Sequence, residues 1–128
     1  MTSRPGYKET VLKWTEAAVG VDAQYVYRVG TVEYYGTLSA GATYTSATIS
    51  HDWMTRICIV YTCDQDTTYE VQESVNGSDW ITTETGSVSA GGSAVIDMRI
   101  RLGYVRIRVT NTGAADGTLL LQYSKMVV

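Results

Sequence analysis

Phenylalanine is absent from these 128 residues, proline and histidine occur once each, and cysteine occurs twice. Each scarcity excludes something. The single histidine stands in Ser50-His51-Asp52-Trp53, with no serine or cysteine in a nucleophile-elbow context, so no acid–base constellation or triad can be assembled and an enzyme is not expected. Cys58 and Cys63 are five apart on one predicted strand, roughly 16 Å of extended chain, too far to bridge each other. Both are read as reduced thiols, Cys58 as a small buried hydrophobe. No apolar run reaches the length of a membrane span, and the first twenty residues carry charges throughout, which excludes a secretory signal of ordinary form and points to synthesis in a cytoplasm. The formal net charge is −3. With a pI near 5.0 the chain has no overall field to draw nucleic acid or an anionic membrane. Asp64, Asp66 and Glu70 share a loop but lack the ligand density of a calcium site and are read as solvated turn acids, so no metal and no cofactor are expected.

What is abundant is β-forming. Threonine, valine, tyrosine and isoleucine are frequent, and twelve glycines fall mostly between apolar runs. The clearest strand is Tyr104-Val105-Arg106-Ile107-Arg108-Val109-Thr110, in which Val105, Ile107 and Val109 share one face and the arginines the other, followed by the turn residues Asn111-Thr112-Gly113. Eight strands are predicted, at 31–38, 42–50, 55–62, 68–75, 80–88, 93–101, 104–110 and 118–126, with Asn76-Gly77-Ser78-Asp79 as a hairpin turn. Within 68–75 the alternation turns Glu73 inward; a bulge is the commoner remedy for such a residue and an ion pair with an arginine the other.

Residues 36–78 laid over 86–128 without a gap give 11 identities in 43 positions, among them Gly36/Gly86, Ala40/Ala90, Gly41/Gly91, Arg56/Arg106, Asp66/Asp116 and Gln72/Gln122. Two copies are too few for a solenoid, and the pair predicts two half-sandwiches closing face to face. The expected architecture is all-β: an eight-stranded antiparallel jelly-roll-like β-sandwich over 31–128, preceded by residues 1–30 as an N-terminal arm with its first strand or strands. Residues 1–10 read as an arm that orders on contact. Val11, Trp14 and Ala18 have helical spacing, although 11–15 also suits a short edge strand; residues 24–29 suit a strand.

Two features speak to binding. Arg99, Arg101, Arg106 and Arg108 lie on the non-apolar side of two consecutive predicted strands joined across Gly103. If those strands pair, the four guanidinium groups form one patch, either an ordinary solvated face laced with acids or a docking face for a carboxylate-rich protein surface. The other feature is aromatic: Trp53 and Trp80 at strand edges, and Tyr34-Tyr35, whose adjacent side chains must point to opposite faces. Trp53, Trp80 and Tyr35 are the candidates for stacking a sugar ring, while Trp80 also suits packing over the hairpin it closes.

The segments 36–46, 74–80, 88–92 and 104–113 together resemble a pattern found in small structural proteins of tailed bacteriophages, over about residues 36–126. The resemblance implies a β-sandwich serving as a capsid decoration, or cement, protein: located on the virion's capsid surface, partnered with the major capsid protein, and homo-oligomeric, first of all a trimer. Arg4, Tyr7 and Trp14 of the arm join the four arginines as its candidate contacts. A carbohydrate-binding or tail-associated receptor-binding module is the alternative.

Overall fold

The strand at 104–111 and its counterpart at 56–63 each bury every second side chain: Ile57, Ile59, Tyr61 and Cys63 in one, Val105, Ile107, Val109 and Asn111 in the other. Period-two burial is what a pleated strand with one wet face produces. A computed structural model describes residues 26–27, 30–50 and 56–127 and forms ten strands among them. They are β1 (Val26–Tyr27), β2 (Thr31–Leu38), β3 (Thr43–Thr45), β4 (Ile49–Ser50), β5 (Arg56–Cys63), β6 (Thr67–Ser74), β7 (Ile81–Val88), β8 (Ser93–Arg99), β9 (Tyr104–Asn111) and β10 (Gly117–Val127). All pairings are antiparallel. Sheet one runs β2-β10-β5-β8, with β1 also on β10; sheet two runs β3-β9-β6-β7, with β4 also on β9.

This is the strand order of a jelly roll. The chain forms one long hairpin with its tip at residues 75–80, and its paired arms, β6 with β7, β5 with β8, β3 and β4 with β9, and β2 with β10, roll up into two sheets. The core between them is aliphatic, with Tyr61 its largest fully buried side chain.

The fifty-residue offset carries β2 onto β7, β6 onto β10 and the body of β5 onto β9. The two copies do not, however, make one sheet each, as the sequence alone suggested. β2 and β5 stand in sheet one with β8 and β10 of the second copy between or beside them, and sheet two is interleaved in the same way. Rolling a hairpin necessarily sets each strand of one arm beside a strand of the other.

Several identities between the copies have matching structural roles. Gly41 and Gly91 sit at φ of 78° and 79°, where a side chain is strained, at corresponding turns. Asp116 Oδ1 accepts the amide of Ala40 at 3.0 Å, and Asp66 Oδ1 accepts that of Ala90 at 2.8 Å, so each copy staples the other's turn at one end of the sandwich. Asp66→Ala or Asp116→Ala is expected to cost about 1 kcal/mol each, the worth of a charge-assisted bond at a turn. The urea midpoints of the two single variants and the double variant check this; an unshifted double variant would refute it.

The stretch read as one strand at 42–50 is broken in two. At the break, Ser46 turns into the structure and its Oγ accepts the amide of Ile107 at 3.0 Å, replacing part of the ladder, while the register on β9 slips by one residue between β3 and β4. The residues read as a helix or edge strand at 11–20 lie outside the described residues; of the strand read at 24–29, Val26–Tyr27 is present as β1.

Candidate docking faces

On the outer face of sheet two, β9 presents Arg106 and Arg108, and the neighbouring strands fix both. Arg106 donates from Nε to Gln72 Oε1 at 2.7 Å and lays its guanidinium over the Trp80 ring, 4.2 Å from the centroid. Gln72 is held in turn by Thr82 across β7 at 3.2 Å. Arg108 stands 3.7 Å from Glu70 on β6 and donates to Thr45 on β3 at 3.3 Å. Arginine, tryptophan and glutamine are thus set in one geometry before any partner arrives, which lowers the ordering cost of an interface.

Arg101 has a different task. Its Nη2 lies 2.7 Å from Glu73 Oε2, the amides of Arg101 and Leu102 donate to Oε1 at 3.2 and 3.3 Å, and Thr83 Oγ1 donates to Oε2 at 2.9 Å. Glu73 is fully buried. Burial alone drives its carboxyl toward the neutral form, but the guanidinium, the hydroxyl and the two amides outweigh burial and hold the pKa below the usual carboxylate value. A bulge is present as well, though in the partner strand: Val71 pairs with Glu84 and Gln72 with Thr82, leaving Thr83 as the extra residue of β7. Glu73 therefore stays inward, and the bulge aims a hydroxyl at it. Sheet one repeats the device fifty residues earlier, where Leu121 pairs with Tyr34 and Gln122 with Val32 and Glu33 is the extra residue. Glu33 accepts the Tyr44 hydroxyl at 2.9 Å and the Ala47 amide at 2.8 Å. Burial first, then this bond to a carboxylate, push the Tyr44 phenol up to about 12.

The four-arginine patch is not formed. β8 and β9 belong to different sheets, so Gly103 lies on a crossover rather than in a hairpin turn. Arg99 is exposed on sheet one, paired in register with Arg56, which turns away to Asp97 at 2.9 Å. Arg101 closes the crossover, and only Arg106 and Arg108 share a face. Trp80 packs against Arg106 of β9, and that contact occupies one side of its ring. Tyr34 packs into the core edge, stacked on Tyr44 with centroids 4.3 Å apart, and Tyr35 is 72% exposed. Arg4, Tyr7, Trp14, His51 and Trp53 lie outside the described residues.

Cys58 is corrected too. Five residues along a strand is an odd step, so the two thiols face opposite ways: Cys63 is buried in the core, and Cys58 is half-buried on the outer face of sheet one. There it has apolar company that the sequence reading missed. Val32, Tyr35 and Val95 are 55%, 72% and 68% exposed, and the half-buried Val60 and Leu120 fill the space between them. The register sets Val32, Gln122, Val60 and Val95 in one row across the sheet and Tyr35, Leu120 and Thr62 in the next. Among the described residues, no group of three His, Cys, Asp or Glu side chains is placed to hold a metal ion.

Residues 17–126 match the family model described as "Uncharacterised protein YqxG N-terminal domain". Among solved structures, the PBSX exported protein XepA superposes with a TM-score of 0.70 over 76% of this chain, at 21% identity. The chain spans 36% of the length of XepA. PirA superposes with a TM-score of 0.51 over 70% of this chain and 93% of its own, at 17% identity. At these identities the likeness is one of fold. No curated protein sequence matches the chain.

Proposed function

The chain belongs to the YqxG N-terminal domain family, and from that premise we propose that it is a phage-associated structural module that works by docking, without chemistry of its own. The likeness in fold to XepA, a PBSX exported protein, supports the phage association. The finer reading is that the module binds the outer surface of a capsid, contacting the major capsid protein as a small homo-oligomer. The observation that carries the docking role is the outer face of sheet two, where Trp80, Arg106 and Arg108 are held in place by Gln72, Glu70 and Thr45. Tryptophan and arginine dominate interface hot spots, and arginine forks suit carboxylates on an opposing protein.

The test uses purified protein and undecorated capsids. The protein should co-sediment in repeating copies and raise the melting temperature of the shell. The paired change Arg106→Glu and Arg108→Glu should leave the fold's melting temperature within a few degrees and weaken binding about a hundredfold, since it reverses charge at two contacts. Failure to bind at any ionic strength removes the capsid reading.

A further inference from the structure

The outer faces of the two sheets share a strand order and differ in charge. On sheet two, Glu70, Arg106 and Arg108 stand on the two middle strands, β6 and β9. Among the described residues that face outward from β2, β10, β5 and β8 of sheet one, the charged ones, Arg56, Asp97 and Arg99, are gathered at one end. The rest of that face is neutral, and the fold does not require its apolar members: the counterparts of Val32, Tyr35, Val95 and Leu120 in the other repeat are Thr82, Thr85, Thr45 and Glu70 on sheet two. A contiguous exposed apolar face without charge has the composition of an interface centre.

We propose that this face binds the same face of a second copy of the chain about a two-fold axis. The proposal rests on the homo-oligomer of the reading above and gives it a contact surface. Two rows cross the sheet in register, Val32-Gln122-Val60-Val95 and Tyr35-Leu120-Thr62-Ser93. A two-fold axis along the strands, midway between β10 and β5, lays each row on its own reverse. Val32 then meets Val95 of the second copy and Gln122 meets Val60. In the other row Tyr35 stands over Ser93 and Leu120 over Thr62, so the bulky half fills the space above the small half. The same axis keeps Asp97 and Arg99, on β8, apart from their own equivalents, because β8 faces β2. The neutral block of four strands measures roughly 20 Å by 20 Å, and its side-chain relief brings the surface buried by both copies to about the 1,000 Å² at which specific interfaces begin.

In the full-length chain, sedimentation over a concentration series should carry the mass from the 14.0 kDa of one copy toward twice that value. Val95→Lys and Val32→Glu, both at exposed positions, should each weaken association about a hundredfold while leaving the melting temperature within a few degrees, because each sets a lone charge against an apolar partner. An equimolar mixture of the two variants should associate again: position 95 of one copy faces position 32 of the other, so the introduced cation meets the introduced carboxylate. Cys58 pairs with Ser124 across β5 and β10, beside the axis, which brings the Cys58 thiols of two copies within reach of a short bis-maleimide. The cross-linked pair of chains should form in wild type and in the mixture, and far less in either variant alone, while the buried Cys63 stays unreactive. A chain that stays monomeric up to millimolar concentration would overturn the proposal, and so would variants that associate as wild type does or a mixture no better than its parts. No step of this test uses a capsid, so its failure leaves the capsid reading to its own experiment.

Discussion

Severing the chain between Asp79 and Trp80 is expected to yield two fragments that are unfolded apart and that rebuild the sandwich when mixed. The reason is topological. The cut falls at the tip of the rolled hairpin, and all eight observed strand pairings join a strand before it to a strand after it. Neither fragment alone can satisfy its strand backbones with the native ladder, and each exposes the apolar faces that the other covers. Circular dichroism of 1–79 and 80–128 should show no cooperative melt for either, and the mixture should show one. A fragment that melts cooperatively by itself would mean that a repeat is an independent unit, contrary to the interleaving described above. The same topology predicts slow folding, because outside the β6–β7 hairpin every sheet contact spans a long loop whose closure entropy must be met before burial compensates.

Glu73→Ala should be the most damaging single change outside the aliphatic core, on the order of 3 kcal/mol, since it deletes the acceptor for an ion pair, a hydroxyl and two amides at a fully buried site. Its pH dependence has a definite sign. The folded carboxyl titrates below its ordinary value of 4.5, so its contribution is fully present above that value and is lost as the pH falls through the lower, folded one. Wild type should therefore lose stability on acidification below about pH 4.5, and Glu73→Gln should lack that component. Arg101→Met leaves the carboxyl buried without its cation. Burial then dominates, and the acid loss should begin at higher pH than in wild type. Urea midpoints between neutral and acid pH decide the matter; identical acid profiles for wild type and Arg101→Met would refute the clamp.

Much of this was open to reading in the residues. The alternation in 104–110 and 55–62 marked the central strands to within a residue or two, and Gly41, Gly77 and Gly91 marked turns that do take positive φ. The odd spacing of the two cysteines already implied opposite faces, and the Asp66/Asp116 and Ala40/Ala90 identities were the signal for the turn staples. Comparing the repeats for where they differ, rather than where they agree, would have exposed the apolar skin of sheet one.

Local pattern by itself determined the strands, their inward residues and the all-β class, because a period of two is a property of each strand's own backbone and side chains. Only the tertiary structure decided which strands are neighbours. Pairing is set between residues tens of positions apart, so it alone could send Arg99 and Arg106 to opposite sides of the sandwich, interleave the two copies, and bring Arg101 and Thr83 to the carboxylate of Glu73.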